Sequence, residues 1–387
     1  MMKQVSSSPL LVLPSDQNQG LHFMLKDSPK ILSGEFIGHD FVHYPTNETA
    51  ELLYYSYADV ECFEYASTVY EDTLSKLQAE IKKASVGIHP ITCVYHGHCS
   101  DGLMSAAVVK YRFKHREVNF VEGRHGSEID VSQFTGQVVF IVDFSFDTKV
   151  LADIGKVAEC VIVLDHHKST MDHMQEDRHE RHLMDFLKDN FVIIADQKSG
   201  CGLTWEILFP NTLLPEPVAY IQDSDIWTWK KESAKVIVPA IYFYYEMTVE
   251  DYYNFLTTPF DFDKLYQTGS ILKQQNDNHV KEIVKGTIQT VKLHGYTIGI
   301  ANCNFMHASL VGHYIMENHP KYDFAMAYRI TGGGVTLSLR SEDHKADVSY
   351  FAQTYLDGGG HRNAAGARLS VEDFYALILN NVVKDTK

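Results

Sequence analysis

Val161–Ser169 reads VIVLDHHKS: four aliphatic residues run straight into an acid, two histidines and a lysine. Val161–Leu164 has no polar position, as expected of a strand buried on both faces of a parallel sheet. The polar triplet then falls at the C-terminal end of that strand. In an open α/β sheet this edge is where loops carry the chemistry while the strands hold it rigid. Asp165, His166 and His167 put oxygen and nitrogen donors within three residues, a set suited to a hard-to-borderline cation such as Mn²⁺. Alone, the triplet reads equally well as a strand-end turn with exposed histidines. Partners elsewhere in the chain decide between the two.

Such partners occur. Val138–Asp143 (VVFIVD) repeats the apolar strand closed by an acid, and Ile91–Asp101 (ITCVYHGHCSD) runs a strand into His96, His98, Cys99 and Asp101. Tyr220–Asp225 (YIQDSD) adds Asp223 and Asp225. Between these lie a small-residue helix (Gly102–Phe113), a strand near Val118–Val121, a helix from Thr148 to Glu159 and a further strand at Val192–Ala195. Strands alternating with helices at this spacing predict an α/β fold with a doubly wound parallel sheet. Asp143, alone at the tip of a central strand, is the natural carboxylate to be shared by two cations.

In chain order, YHGHCSDG (Tyr95–Gly102), IVDFSF (Ile141–Phe146), LDHHKS (Leu164–Ser169), IQDSDIWTW (Ile221–Trp229) and GGGHRNAAG (Gly358–Gly366) resemble the motifs of the DHH phosphoesterase superfamily. The last of them is similar to the signature of its DHH-associated C-terminal domain, and the set to the branch of RecJ-type exonucleases and nanoRNases. The resemblance implies a DHH domain over 89–254, a helical connector over 255–290 and a smaller mixed α/β substrate-binding domain over 291–387 across a cleft. An N-terminal extension, 1–88, lies outside it.

The resemblance also implies roles. One Mn²⁺ or Mg²⁺ would take His96 and Asp143, and a second Asp101, Asp143, His166 and Asp223. Two such ions about 3.5–4 Å apart activate a water and offset phosphoryl charge. His167 would contact the phosphate or assist proton movement, and Asp165 would orient an imidazole. Asp225 would stand behind the ligands, and His98 is the alternative to His96. Cys99 occupies a position where many members carry aspartate, and a soft thiolate there would weaken the first metal site. In the C-terminal domain, Arg340 would grip a terminal phosphate. Gly358, Gly359 and Gly360, with His361 and Arg362, would bring N–H donors to a phosphate or ribose. The plainer alternatives are a surface strand position for Arg340 and a simple turn for the glycines.

Fifty acidic against 34 basic side chains leave a net charge of −16, so nothing global attracts a long nucleic acid. Six cysteines without CxxC pairs suggest neither a zinc knuckle nor a disulfide framework, and a cytoplasmic setting follows as the default. No run approaches the 18 or so apolar residues of a membrane span. Residues 1–30 read as a loosely packed leader, and the tyrosine-rich LLYYSYADVECFEYASTVY as packing surface. His173, His179 and His182, scattered among acids, read as a solvated face.

These features lead to the expectation of a metal-dependent phosphodiesterase for short nucleotides, nanoRNA or dinucleotides, with a homodimer compatible. Within the same chemistry stand a 3′-phosphoadenosine 5′-phosphate phosphatase, a cyclic dinucleotide phosphodiesterase and a RecJ-type single-strand exonuclease. From another class stands a catalytically idle nucleotide-binding protein.

Overall fold

The computed structural model describes residues 73–124, 128–195 and 197–383 with their side chains, Phe305 excepted. It also describes the backbone of 61–72 and of the strands Leu10–Val12, Leu21–Met24, Ile31–Ile37, Asp40–His43 and Leu53–Tyr55. The rest of the leader lies outside the described residues, as do the side chains of the tyrosine-rich stretch up to Tyr70. The chain divides into two units, Met1–Leu265 and Tyr266–Lys387.

The first unit is built on five parallel strands: β1 (Ile91–His96), β2 (Val118–Gly123), β3 (Val138–Val142), β4 (Cys160–Asp165) and β5 (Phe191–Ile194). Their spatial order is β5-β4-β3-β1-β2, and Leu10–Val12 adds in parallel beside β5. The unbroken apolar runs are explained by burial on both faces. Along β3, Val138, Phe140 and Val142 enter one core while Val139 and Ile141 enter the other, and along β4 Ile162 and Leu164 alternate with Val161 and Val163.

Helices cover both faces. On one side pack α1 (Glu61–Val86), α2 (Ser100–Arg112), α6 (Gly200–Leu208), α7 (Glu216–Asp225), α8 (Ala234–Tyr244) and α9 (Val249–Thr257), through residues such as Leu77, Met104, Leu203, Val218, Ile237 and Phe255. On the other side pack α3 (Thr148–Val157), α4 (Lys168–Glu176) and α5 (Arg181–Phe186), through Leu151, Ile154, Met174, Leu183 and Phe186. The three histidines expected on a solvated face fall on or beside α4 and α5. This is a doubly wound sheet. Its strand order reverses between β1 and β3, and at such a switch point the connecting loops part and leave a crevice beyond the carboxyl ends of the strands. His96 ends β1, Asp143 follows β3 and Asp165 ends β4.

The second unit is a separate mixed sheet of β6 (Gln289–Leu293), β7 (Tyr296–Asn302), β8 (Phe324–Thr331), β9 (Gly334–Arg340), β10 (Gly359–His361) and β11 (Ala364–Leu369), in the order β6-β7-β8-β9-β11-β10. Only β7 and β8 run parallel. The Gly332–Gly334 turn joins β8 to β9, and α11 (Ala308–Asn318) and α12 (Val348–Leu356) pack on the sheet. The division between the units falls within the 26-residue α10 (Phe262–Thr287). Among the described residues, no helix is long and apolar enough to cross a membrane.

One buried polar side chain ties the DHH strand to its cover. Asn190 accepts a hydrogen bond from the Val161 N–H at 2.7 Å and donates to the Phe186 carbonyl at 2.9 Å. Asn190→Ala leaves both main-chain groups without this partner in a desolvated place and is expected to lower stability by about 2–4 kcal/mol. Urea denaturation checks this; an unchanged midpoint would show that neither bond matters.

Candidate metal centre

The centre of the crevice is Asp143. It follows β3, its side chain is 1% exposed, and its backbone is left-handed with φ 53°. A non-glycine residue keeps that conformation only where its surroundings enforce it. Here its N–H donates to the Leu164 carbonyl at 2.9 Å, and α6 begins directly against it. A Cβ on Gly200 would lie 2.5 Å from the Asp143 Cβ and 2.8 Å from its Cα, so only glycine lets the helix start there.

The Asp143 carboxylate lies between two imidazoles. His96 Nδ1 is 3.6 Å from one oxygen and His166 Nε2 is 3.0 Å from the other. These are charge contacts, not directed hydrogen bonds, and both oxygens are buried without a donor among the described residues. Burial works against ionisation, yet the imidazoles outweigh it and hold Asp143 well below the usual carboxylate range.

Two donor triads meet here. His96, Asp143 and His167 bring ligating atoms within 4.8 Å of one another, and Asp101, His166 and Asp225 do the same. The 3.0 Å approach of His166 to Asp143 joins them. Asp165 does not enter either triad. One of its oxygens accepts from the His167 Nδ1–H at 2.7 Å and from the His166 N–H at 2.8 Å, and the other accepts from Thr170 at 2.6 Å. With Nδ1 committed, Nε2 is the nitrogen His167 can offer. This is the orienting contact expected of an acid beside a ligating imidazole.

For three of the expected positions the structure shows other bonds than a ligand role alone would give. Asp223, expected to hold the second ion, has its carboxylate spent on Thr228 and on the Lys230 and Lys231 N–H groups at 2.5–2.8 Å. Asp225, the last residue of α7, has its carboxylate 3.6 Å from His166 Nε2. Two residues two apart on a helix point about 200° from each other, so they cannot both face the crevice. Second, at Cys99 burial, then the charges of Asp143, Asp225 and Asp101, push the thiol well above its ordinary value. Cys99 serves as the N-cap residue of α2, its carbonyl accepting from the Leu103 N–H.

The third case is the glycines of the second unit. Gly358, Gly359 and Gly360 are not a free loop of donors; they lead into and form β10, whose hairpin with β11 explains their type. A Cβ on Gly358 would meet the Gly366 carbonyl at 2.2 Å, and the Gly358 N–H already donates to Ala352. His361 ends the same strand. Arg340 donates to the Leu339 carbonyl at 2.8 Å and to Ser309, which ties it to α11, and Arg362 is held by the Asp343 and Lys345 carbonyls.

His98, also left-handed, is exposed and turned to Arg124 at 2.7 Å, so His96 is the histidine that faces Asp143. Asp101 is clamped by the N-terminus of α6: the Gly200 and Cys201 N–H groups donate to its two oxygens. The charge balance of the cluster then fits a cation. Burial and the neighbouring charges of Asp143 and Asp225 hold Asp101 well above its ordinary range, and burial also raises Asp225. Burial alone would lower His166, but Asp143, Asp225 and Asp101 push it up to about 10. Three acids at one edge thus repel one another, and the repulsion falls on Asp101 and Asp225. Donor-free carboxylate oxygens and imidazoles are the ligands that a hard-to-borderline divalent ion selects.

No protein-family model matches the chain. The uncharacterized protein R106 of Acanthamoeba polyphaga mimivirus is 30% identical over 295 residues, covering 72% of this chain and 67% of that one. Among solved structures, exonuclease RecJ bound to manganese aligns with 79% of this chain and 92% of its own at 14% identity and a TM-score of 0.46. An exopolyphosphatase-related protein from Bacteroides fragilis aligns with 78% of this chain and 94% of its own at 14% identity and a TM-score of 0.47.

The two acids of α7 separate cleanly by experiment. Asp225→Asn is expected to weaken Mn²⁺ binding more than roughly tenfold with little change in melting temperature. Asp223→Asn is expected to lower the melting temperature and leave Mn²⁺ affinity within about threefold, since it removes a turn's anchor. Calorimetric titration and thermal denaturation of both variants check this, and the reverse pattern would restore Asp223 as the ligand.

Proposed function

The chain belongs to one family with the mimivirus protein R106, and from the motifs that resemble the DHH phosphoesterase superfamily we propose that it is a divalent-metal-dependent phosphoesterase acting on short nucleotides. One observation carries the hydrolytic reading: the buried Asp143 carboxylate lies between His96 and His166 with neither oxygen supplied with a donor. His96, Asp143 and His167 would hold one ion, and Asp101, His166 and Asp225 another, with Mn²⁺ or Mg²⁺ suiting this set. Ions bound there supply Lewis acidity that activates water and offsets phosphoryl charge.

The chain's own residues do the rest. Asp165 and Thr170 fix the His167 ring, so its second nitrogen stays aimed at the cluster and not at solvent. The α6 N-terminus keeps Asp101 in place through two main-chain N–H groups, beside the His166 ring at 3.7 Å. The rigid strand ends of β1, β3 and β4 hold the donors against the mutual repulsion of the acids. A net charge of −16 favours a substrate of a few nucleotides over a long polyanion, whose binding needs an extended basic track.

The test is to incubate purified protein with Mn²⁺ and a ladder of 5′-phosphorylated RNAs. Dinucleotides to tetranucleotides are expected to be consumed faster than long strands. Asp143→Ala is expected to lower kcat/KM by more than roughly a hundredfold, beyond the loss seen when only an orienting partner goes. Equal rates on all lengths would overturn the short-substrate reading, and an active Asp143→Ala variant would overturn the metal assignment.

A further inference from the structure

A residue outside the motifs stands at the lip of this centre. Tyr242 lies near the C-terminal end of α8, where the buried stripe is Ala234, Ile237, Val238 and Ile241. It sits at the flank of that stripe, and its side chain is 54% exposed. Yet its oxygen is planted inward. Ser100, the first residue of α2 and the neighbour of Asp101, donates a hydrogen bond to it at 2.8 Å. Burial pushes the phenol up to about 12 against that hydrogen bond, and the charges of Cys99, Asp225 and Asp101 add to the rise. With its oxygen held by Ser100 and half its surface open, Tyr242 offers its ring to solvent beside Asp101.

Ordinary packing does not account for this ring. Among the described residues no other aromatic ring stacks on Tyr242, whereas the adjacent Phe243 and Tyr244 pair edge to face with centroids 5.0 Å apart. Lys264 then lies over the Tyr244 ring at 4.6 Å. The exposed strip therefore offers a fixed aromatic face next to the centre, with a cation beyond it. Every nucleobase has a π-face that stacks on such a ring, and the flanking phosphates are drawn by such a cation.

We propose that Tyr242 is a positioning residue that stacks one nucleobase of the substrate at the mouth of the metal centre, its hydroxyl tied to Ser100 so that the ring cannot swing away. This rests on reading the centre as a phosphoesterase for nucleotides. It adds to that reading what holds the base beside the scissile group.

The test separates the two claims by using binding as well as turnover. In equilibrium dialysis, wild-type protein without metal is expected to bind 5′-AMP roughly tenfold more tightly than ribose 5-phosphate, the factor that stacking on one ring supplies. Tyr242→Leu is expected to abolish that preference, and Tyr242→Phe, which keeps the ring but loses the tie to Ser100, to restore it only in part. With Mn²⁺ and 5′-phosphorylated diadenylate, Tyr242→Leu is expected to raise KM about tenfold with kcat changed less than about threefold. No preference in the wild type, or a preference that survives Tyr242→Leu, overturns the assignment even if hydrolysis proceeds. A preference that behaves as expected in a protein without hydrolytic activity upholds Tyr242 and overturns the functional reading instead.

Discussion

The structure depends on one constraint: a carboxylate that must stay charged where water cannot reach it. Asp143 is held there by a left-handed backbone, by the tip of β3 and by a helix that begins with Gly200 because nothing larger fits. Taking an ion out of water costs several kcal/mol unless opposite charge meets it, and the surrounding imidazoles meet it only in part. Asp101 and Asp225 press in from the other side, and burial together with the neighbouring charges raises both above their ordinary range. A cation bound there would offset that repulsion, as the proposed function requires.

The fold explains why the charge can be kept there. Each strand of the first sheet sends alternate residues into two separate cores, so the strand ends are fixed from both faces. The reversal of strand order between β1 and β3 opens the crevice at the place where His96, Asp143 and His166 arrive from three different strand ends or loops. Rigid strands bring the acids together, and loops and helix ends clamp them individually: Asp101 by the α6 N-terminus, Asp165 by Thr170 and His167, Asp223 by its turn. Chemistry and architecture meet at these clamps, because each determines which oxygen remains available.

Much of this was legible in the residues. The apolar runs Val138–Val142 and Val161–Leu164 have no polar position, so burial on both faces and a parallel sheet follow from pattern alone. The acids and histidines that end those runs had to share an edge. What pattern could not decide was direction. Asp223 and Asp225 differ by a rotation about a helix axis, and the turn N–H groups that capture Asp223 come from residues without any chemical signal of their own. The glycine triplet was ambiguous for a similar reason: glycine is required both where a ligand approaches a backbone and where another strand does. At Gly358 it is the strand. Tyr242 carried no motif, and its role is suggested by where its oxygen lies, which no linear spacing reveals.

The most direct measurement is anomalous diffraction at the manganese edge from crystals grown with Mn²⁺. The account predicts two peaks flanking the Asp143 carboxylate, one touching His96 and His167 and the other touching Asp101, His166 and Asp225. Crystals that preserve the β1, β3 and β4 strand ends as described but show no anomalous density at Asp143 would contradict it.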